Sequence, residues 1–453
     1  MSSDRGNFKS RLGIVLATAG SAVGLGNIWR FPVETGQNGG AAFIILYLVC
    51  VALLGVPMMV AEFIIGRRTH TDIASAYQKL EPRQPWYLVG FAGMLCVTLI
   101  LSYYAVVAGW ILKYAMDAVM GRMFTVTDSL AYFADFSTST VAPLIYTVGF
   151  ILITHLVIVR GVQNGIERFS KLLMPLLFLI MIMLVCGCLT MPGAANGLHF
   201  LLQPDFAKLT PAVALRALGQ AFFSLSIAIG CLSTYASYFK PDVPLVKTAA
   251  NVVGLDTLVA IISGFIIFPA VFSVPDVQPD AGPGLVFVTL PDIFSQLFAD
   301  SSILRDVISL LFYLLLVLAA LTSTISMHEE VTAFFFDRYH IPRRWAASFM
   351  TVTTIVLASL CSLSFGPLAD FKPFFGYNFF EAFDKVTAMW IMPLSGIVLS
   401  IFVGWRLPRK LVEEELTNHG TLRLPAIVIP SFFFLIRWLA PIAIASIFIS
   451  NLS

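Results

Sequence analysis

The chain has 453 residues, 58% of them hydrophobic and 12% charged, with a formal net charge of +2 and a mean hydropathy of +0.87. A soluble domain carries about twice that charged fraction. The composition thus excludes a soluble globular protein and shows no basic domain for nucleic acid, and it indicates an all-α polytopic membrane protein. The cysteines, Cys50, Cys96, Cys186, Cys188, Cys231 and Cys361, all fall in apolar segments. They read as small core residues rather than a disulfide framework or metal site. No cleavable leader is expected, because the first apolar run is long and lacks a small-residue cleavage site.

Apolar runs predict spans at about 12–33, 41–66, 86–116, 141–160, 166–190, 212–239, 247–274, 304–336, 346–364, 378–405 and 425–450, each long enough to cross about 30 Å of hydrocarbon. Spans 3 and 8 are long enough to tilt or protrude. The connections at about 117–140 and 275–303 read as ordered external loops. Lys and Arg, among them Arg67, Arg68, Arg160, Arg168, Arg343, Arg344, Arg409 and Lys410, collect on one side. The other side's loops hold little beyond Arg122, Lys208 and Lys372. By the positive-inside rule the N-terminus is cytoplasmic and the C-terminus, after an odd number of spans, is outside.

Span 1 carries Gly20-Ser21-Ala22-Val23-Gly24-Leu25-Gly26-Asn27-Ile28-Trp29-Arg30-Phe31-Pro32 where a membrane helix should be most regular. An opened backbone at that depth is tolerated only where it is buried in protein or lines a wet cavity. Span 6 repeats the pattern with Phe222-Phe223-Ser224-Leu225-Ser226-Ile227-Ala228-Ile229-Gly230. Two interrupted segments five spans apart suggest an inverted repeat with a binding site between the breaks. The expected organisation is a single transmembrane domain over 1–453, with halves at about 10–190 and 205–405 and an additional helix at about 425–450. Gly24 and Gly26 allow a ligand close to the backbone, and a half-helix starting there offers N–H groups to an anion. Taken alone, such glycines would equally permit tight helix packing.

Val23-Gly24-Leu25-Gly26-Asn27, Arg30-Phe31-Pro32, Asn38-Gly39-Gly40, Gln220-Ala221-Phe222-Phe223-Ser224-Leu225-Ser226 and Leu321-Thr322-Ser323 resemble the signatures of the neurotransmitter:sodium symporter family, in its bacterial amino-acid branch. The resemblance implies the LeuT-like fold: five plus five inverted helices and an eleventh, with helices 1 and 6 broken at mid-membrane. It also implies sodium-coupled import of a substrate by alternating access.

Residue by residue, the resemblance places the substrate against Ala22, Gly24, Leu25, Gly26, Ile100, Tyr104, Phe223, Ser226, Ile229, Ser323 and Met327. Members that carry biogenic amines have an aspartate at Gly24, so its absence favours an α-amino acid that brings its own carboxylate. Tyr104 matches a tyrosine that binds this carboxylate, whereas Tyr103 reads as a packing residue. No charged side chain lines the pocket, which favours a hydrophobic L-amino acid. Ala228 and Ile229 replace the glycine and phenylalanine of a leucine-carrying member, and with Met327 could suit a larger or more varied side chain.

One sodium ion would be held by the Ala22 carbonyl, Asn27, Ser224, Asp256 and the substrate carboxylate. A second would be held by carbonyls of Gly20, Val23 and Ala319 with Thr322 and Ser323. Read alone, those two hydroxyls would bond back to the preceding turn. Asp256 stands where chloride-dependent members have asparagine and recruit an anion, so chloride independence is expected. Its alternative is a structural aspartate. Arg30 and Asp384 would pair as an outer gate above Tyr104 and Phe223, and Arg5 and Asp337, supported by Ser237 and Tyr238, as an inner gate. Arg5 alone reads equally as a positive-inside flank. Glu62 would brace the break in span 6, its alternative being a helix-end acid near Arg67. Gly165 and Pro175 would let the start of span 5 unwind.

His328-Glu329-Glu330 is no zinc motif, because Thr332 stands where a second histidine is required. Glu329 and His328 read as lining the cytoplasmic half. A channel would need a continuous polar pore, and a membrane enzyme a cofactor motif or catalytic cluster; the sequence shows neither. The expected partners are therefore sodium ions, a hydrophobic amino acid and the lipid bilayer of a bacterial cytoplasmic membrane, with no organic cofactor and no nucleic acid.

Overall fold

The computed structural model describes residues 6–125, 128–274, 284–298 and 302–452. Nine helices among them are long and apolar enough to cross a membrane: Ala41–Thr69, Tyr87–Val119, Ala142–Val159, Val162–Cys188, Leu245–Val271, Ile303–Tyr339, Arg343–Leu363, Phe379–Arg406 and Val428–Ser450. These are spans 2, 3, 4, 5, 7, 8, 9, 10 and 11. Span 1 is the pair Arg11–Ala22 (1a) and Gly26–Gln37 (1b), bent by 60°. Span 6 is the pair Pro211–Ser224 (6a) and Cys231–Ala236 (6b), joined through Leu225–Gly230. Among the described residues, helices thus stand at each of the predicted spans, and those interrupted by a non-helical link are 1 and 6.

Local chemistry explains both breaks. Ser10 caps span 1a by accepting from the Gly13 N–H at 3.0 Å. The helix stops where Val23 turns to ψ 115. The side chain of Asn27 then replaces the carbonyl that the preceding turn would have offered, its Oδ1 accepting from the Gly24 N–H at 2.9 Å. In span 6, Ser226 and Ala228 have φ of 50° and 67° and Gly230 has φ of 96°. Two of those three are not glycine, so the backbone is strained and must be held from outside. Glu62 of span 2 holds it. Its carboxylate accepts from the Ala228 N–H at 2.6 Å, the Ser233 N–H at 3.1 Å and the Ser233 hydroxyl at 3.1 Å.

Burial separates the scaffold from the lipid-facing shell. The most apolar stretch of span 8 is 78% buried and that of span 3 72%, against 33% for span 11 and 39% for spans 4 and 5. Spans 3 and 8 pack along each other, span 1a lies against spans 5, 7 and 8, and 6b lies against span 2. Spans 1a and 6b are therefore packed inside the bundle, against spans 2, 5, 7 and 8. The predicted loop at 117–140 carries a helix, Ser129–Thr138, tied back to span 3 through the Tyr132 hydroxyl, which donates to Asp117 at 2.8 Å. The predicted loop at 275–303 contains the helix Leu290–Leu297, and its residues 275–283 and 299–301 lie outside the described ones.

Candidate functional site

Between the two breaks lies a cavity of about 590 Å³. Ala22, Gly24, Leu25 and Gly26 reach it from span 1, Ile100 and Tyr104 from span 3, Phe223, Ser226 and Ile229 from span 6, and Ser323 and Met327 from span 8. The fold thus brings together every position assigned to the substrate from sequence. Gly24 is needed for space: a Cβ there would lie 2.7 Å from Ser323 Oγ and 3.1 Å from the Tyr104 hydroxyl oxygen. That hydroxyl accepts from the Leu25 N–H at 3.1 Å, which leaves its own proton to give. Opposite this polar corner the walls are Ile100, Phe223, Ile229 and Met327.

Next to the corner is a fully buried polar cluster. The Asn27 amide donates to Asp256 Oδ1 at 2.8 Å, to the Asp256 carbonyl at 3.2 Å and to Ser224 Oγ at 2.9 Å. The Ser224 hydroxyl donates to Asp256 Oδ2 at 2.9 Å. Asp256 and Asn27 are both 0% exposed, and among the described residues no Lys, Arg or His pairs with Asp256. A carboxylate buried among neutral polar groups is stabilised when a cation joins it. The Asp256 carboxylate and the Ser224 hydroxyl are hard oxygens that fit a sodium ion, whereas Asn27 turns its amide nitrogen to them and its Oδ1 to the Gly24 N–H.

The second predicted ion position is also assembled. The Ser323 hydroxyl donates to the Val23 carbonyl at 3.0 Å and to the Ala319 carbonyl at 3.3 Å. The Thr322 hydroxyl donates to the Ala319 carbonyl at 3.0 Å. Gly20 faces it closely, since a Cβ there would lie 3.1 Å from Thr322 Cβ. The break in span 1 and the middle of span 8 thus present oxygens to one another. The hydroxyls do bond back to their own helix as the local alternative required, and Ser323 reaches span 1 as well.

The two gates differ. Arg30 and Asp384 both line the cavity, but no ion pair joins them. Arg30 instead lies over the Phe223 ring at 4.1 Å, with Glu34 at 3.9 Å. The cavity runs on past them to Glu34 and Arg216, so this side is open. At the other side Arg5 lies outside the described residues. Asp337 and Ser237 are present there, the Ser237 hydroxyl donating to the Thr234 carbonyl at 2.5 Å. The closure seen joins Tyr238, expected at this gate, to two residues that sequence reasoning did not place in it: the Tyr238 hydroxyl donates to Glu329 at 2.7 Å, and Arg343 forms a bidentate pair with the same carboxylate. Phe8 plugs the space beneath, edge-on to Tyr235 and Tyr238 with centroids 6.0 and 6.1 Å away.

Gly165 lies in a wide turn, Val162–Glu167, that opens span 5, and Pro175 lies inside the helix that follows. Glu167, unremarked in the sequence, ties this turn to span 1a. It accepts from the Lys9 N–H at 2.7 Å, the Ser10 N–H at 3.2 Å and the Lys171 ammonium at 2.6 Å. Arg67 pairs with Glu415 at 2.7 Å, so Glu62 is a brace for span 6 rather than a partner of that arginine.

Two helices broken at mid-bundle, with a ligand-sized cavity between them and buried oxygen clusters beside it, define a broken-helix secondary transporter. The model of the Sodium:neurotransmitter symporter family matches residues 5–127 and 126–453. The chain belongs to that family. It is 38% identical over 447 residues to "Uncharacterized sodium-dependent transporter YhdH" of Bacillus subtilis, covering 98% of this chain and 97% of that protein. It is 32% identical to an "Uncharacterized sodium-dependent transporter" of Haemophilus influenzae, covering 99% and 98%. The solved structure "Crystal structure of MhsT in complex with L-phenylalanine" superposes with a TM-score of 0.88 at 40% identity, over 99% of this chain and all of that one. The protein is therefore a sodium-dependent, multi-pass membrane transporter with the LeuT-like fold, and not an enzyme.

Proposed function

We propose that the protein is a sodium-coupled symporter importing hydrophobic L-amino acids across a bacterial cytoplasmic membrane by alternating access, with two sodium sites and no requirement for chloride. The observation that carries this reading is the composition of the cavity. One corner holds Gly24, the Leu25 N–H and the Tyr104 hydroxyl, the walls facing it are Ile100, Phe223, Ile229 and Met327, and the charged groups Arg30, Glu34, Arg216 and Asp384 line the outer part of the cavity. A carboxylate suits the corner and a hydrophobic side chain the walls facing it. The L-phenylalanine held by MhsT in its crystal structure supports the same class of substrate.

Coupling follows from placement. The Asn27–Ser224–Asp256 cluster abuts the corner through the bond from Gly24 N–H to Asn27. A substrate carboxylate bound there can complete the coordination of a sodium ion at Asp256. Each ligand then raises the other's affinity by the same factor. The second ion, at the span 1–span 8 contact, holds the break in span 1 against the scaffold. Asp256 supplies fixed negative charge, which makes a chloride ion unnecessary. With the Arg30 side open and the Tyr238–Glu329–Arg343 side closed, the state described is outward-facing.

The test is competition in proteoliposomes. An excess of leucine, isoleucine, valine, methionine or aromatic amino acids should abolish sodium-driven uptake of labelled phenylalanine, while glutamate, lysine and monoamines should not. Replacing chloride by gluconate should leave the rate unchanged. Inhibition by charged amino acids equal to that by leucine, or a large loss in gluconate, would overturn the corresponding part.

A further inference from the structure

Glu330 is a buried acid that neither the substrate site nor the ion sites use. It lies on span 8, is 0% exposed, and among the described residues neither carboxyl oxygen meets an N–H or O–H donor; the Cys231 thiol, a weak donor, faces it. The carboxyl group occupies the room left by a missing side chain. A Cβ on Gly230 would lie 2.6 Å from Glu330 Oε1, and one on Gly93 would lie 3.7 Å from it. It therefore presses on the last residue of the strained link Leu225–Gly230 and on the start of 6b.

Among the described residues, the ionisable groups that act on it come from several packed elements, and none of them is a cation. Span 2 contributes Glu62, the following connection Asp72, span 3 Cys96 and 6b Cys231. Arg343, at the start of span 9, pairs with the adjacent Glu329. The neighbouring gap lined by Glu62, Gly93, Gly230 and Ser233 measures about 10 Å³, room for one water molecule at most. The three donors at this spot go to the Glu62 carboxylate and none of them to Glu330. A second negative charge beside the Glu62 carboxylate in a dry interior is not sustained.

We propose that Glu330 is a proton-binding site: it is neutral while 6b is packed against it, and gives its proton to cytoplasmic water when 6b moves away. The inner side of the cycle is then sensitive to cytoplasmic pH. The step is a simple dissociation, with the carboxylic acid giving a hydrated carboxylate and a proton released to the cytoplasm. This rests on the alternating-access reading for the movement of 6b, but the neutral buried acid stands on the packing alone.

Two measurements on the full-length protein separate these parts. The first needs no transport: melting of wild type and Glu330→Gln in detergent from pH 5 to 8. As pH rises, the unfolded acid ionises while the folded one does not, so wild type loses stability that the glutamine variant keeps. The unfolding equilibria diverge by up to about tenfold per pH unit. A melting-temperature gap of constant size across this range overturns the proton site. A gap that follows sodium concentration rather than pH overturns it in favour of a cation. The second is sodium-driven phenylalanine uptake into proteoliposomes with external pH fixed and internal pH set at 6, 7 or 8. Wild type should change its rate severalfold and E330Q should be flat. A pH-flat wild type, or the wild-type profile in E330Q, overturns the link to the cycle. Absence of any sodium-driven uptake by wild type counts against the transport reading, and the melting comparison still decides the proton.

Discussion

Replacing Asp256 by asparagine removes one formal charge and almost no volume. The structure indicates what that charge does. Its carboxylate accepts from Asn27 at 2.8 Å and Ser224 at 2.9 Å, has no cationic side chain beside it among the described residues, and is fully buried. Asparagine keeps an acceptor for either neighbour, so the fold should survive. What is lost is the attraction for a sodium ion. Two unit charges about 4 Å apart at an effective dielectric near 20 attract by about 4 kcal/mol. Relaxation of the buried site reduces this to roughly 3–4 kcal/mol, or about 10²–10³-fold in affinity. The assay is sodium titration of phenylalanine binding to D256N, in gluconate and in chloride. In gluconate the sodium dissociation constant should rise by about two to three orders of magnitude. In chloride part of the loss should return, because asparagine is the residue of chloride-dependent members. A dissociation constant in gluconate within about threefold of wild type would refute the assignment of the charge to sodium.

Gly24→Asp should weaken phenylalanine binding by at least about 10²-fold, because the new side chain starts 2.7 Å from Ser323 Oγ and sets a like charge against the substrate carboxylate. Equilibrium binding that stays within a few-fold would sink the carboxylate corner. Glu62→Ala strips acceptors from the Ala228 N–H, the Ser233 N–H and the Ser233 hydroxyl, at about 1–3 kcal/mol for each buried donor left unmade. The melting temperature should fall by several degrees, and an unchanged melting curve would remove Glu62 as the brace. Glu329→Ala leaves the Arg343 guanidinium and the Tyr238 hydroxyl without their shared acceptor, so the closed side should open more often. Faster amide hydrogen exchange across residues 231–239 is the expected result, and wild-type exchange there would contradict it.

Both breaks were readable because each breaks a strong local rule. Glycines, an asparagine and an arginine do not belong in the middle of span 1, nor do paired serines with a glycine in span 6. The ion and substrate positions followed from the family pattern, since nothing in Ile100 or Met327 alone distinguishes a pocket wall from a helix core. The residues missed were those whose role exists only through distant partners. Glu167 looks like a span-end acid until the chain brings Lys9 and Ser10 to it. Glu329 lies next to the motif of span 8, but its partner Arg343 starts the following helix and Tyr238 ends span 6. Glu330 is adjacent in sequence, yet a different helical face carries it against Gly230. The outer gate shows a further limit: sequence names Arg30 and Asp384 as a pair, but whether they touch depends on the state, and in this open one they do not.

The central claim is tested most directly by purified protein in proteoliposomes with potassium inside and sodium chloride or potassium chloride outside. Labelled L-phenylalanine should accumulate above its external concentration only with an inward sodium gradient, and should leave again when sodium ionophore collapses that gradient. Equal accumulation in potassium chloride, or equilibration that never exceeds the external concentration, would contradict sodium-coupled symport of a hydrophobic amino acid.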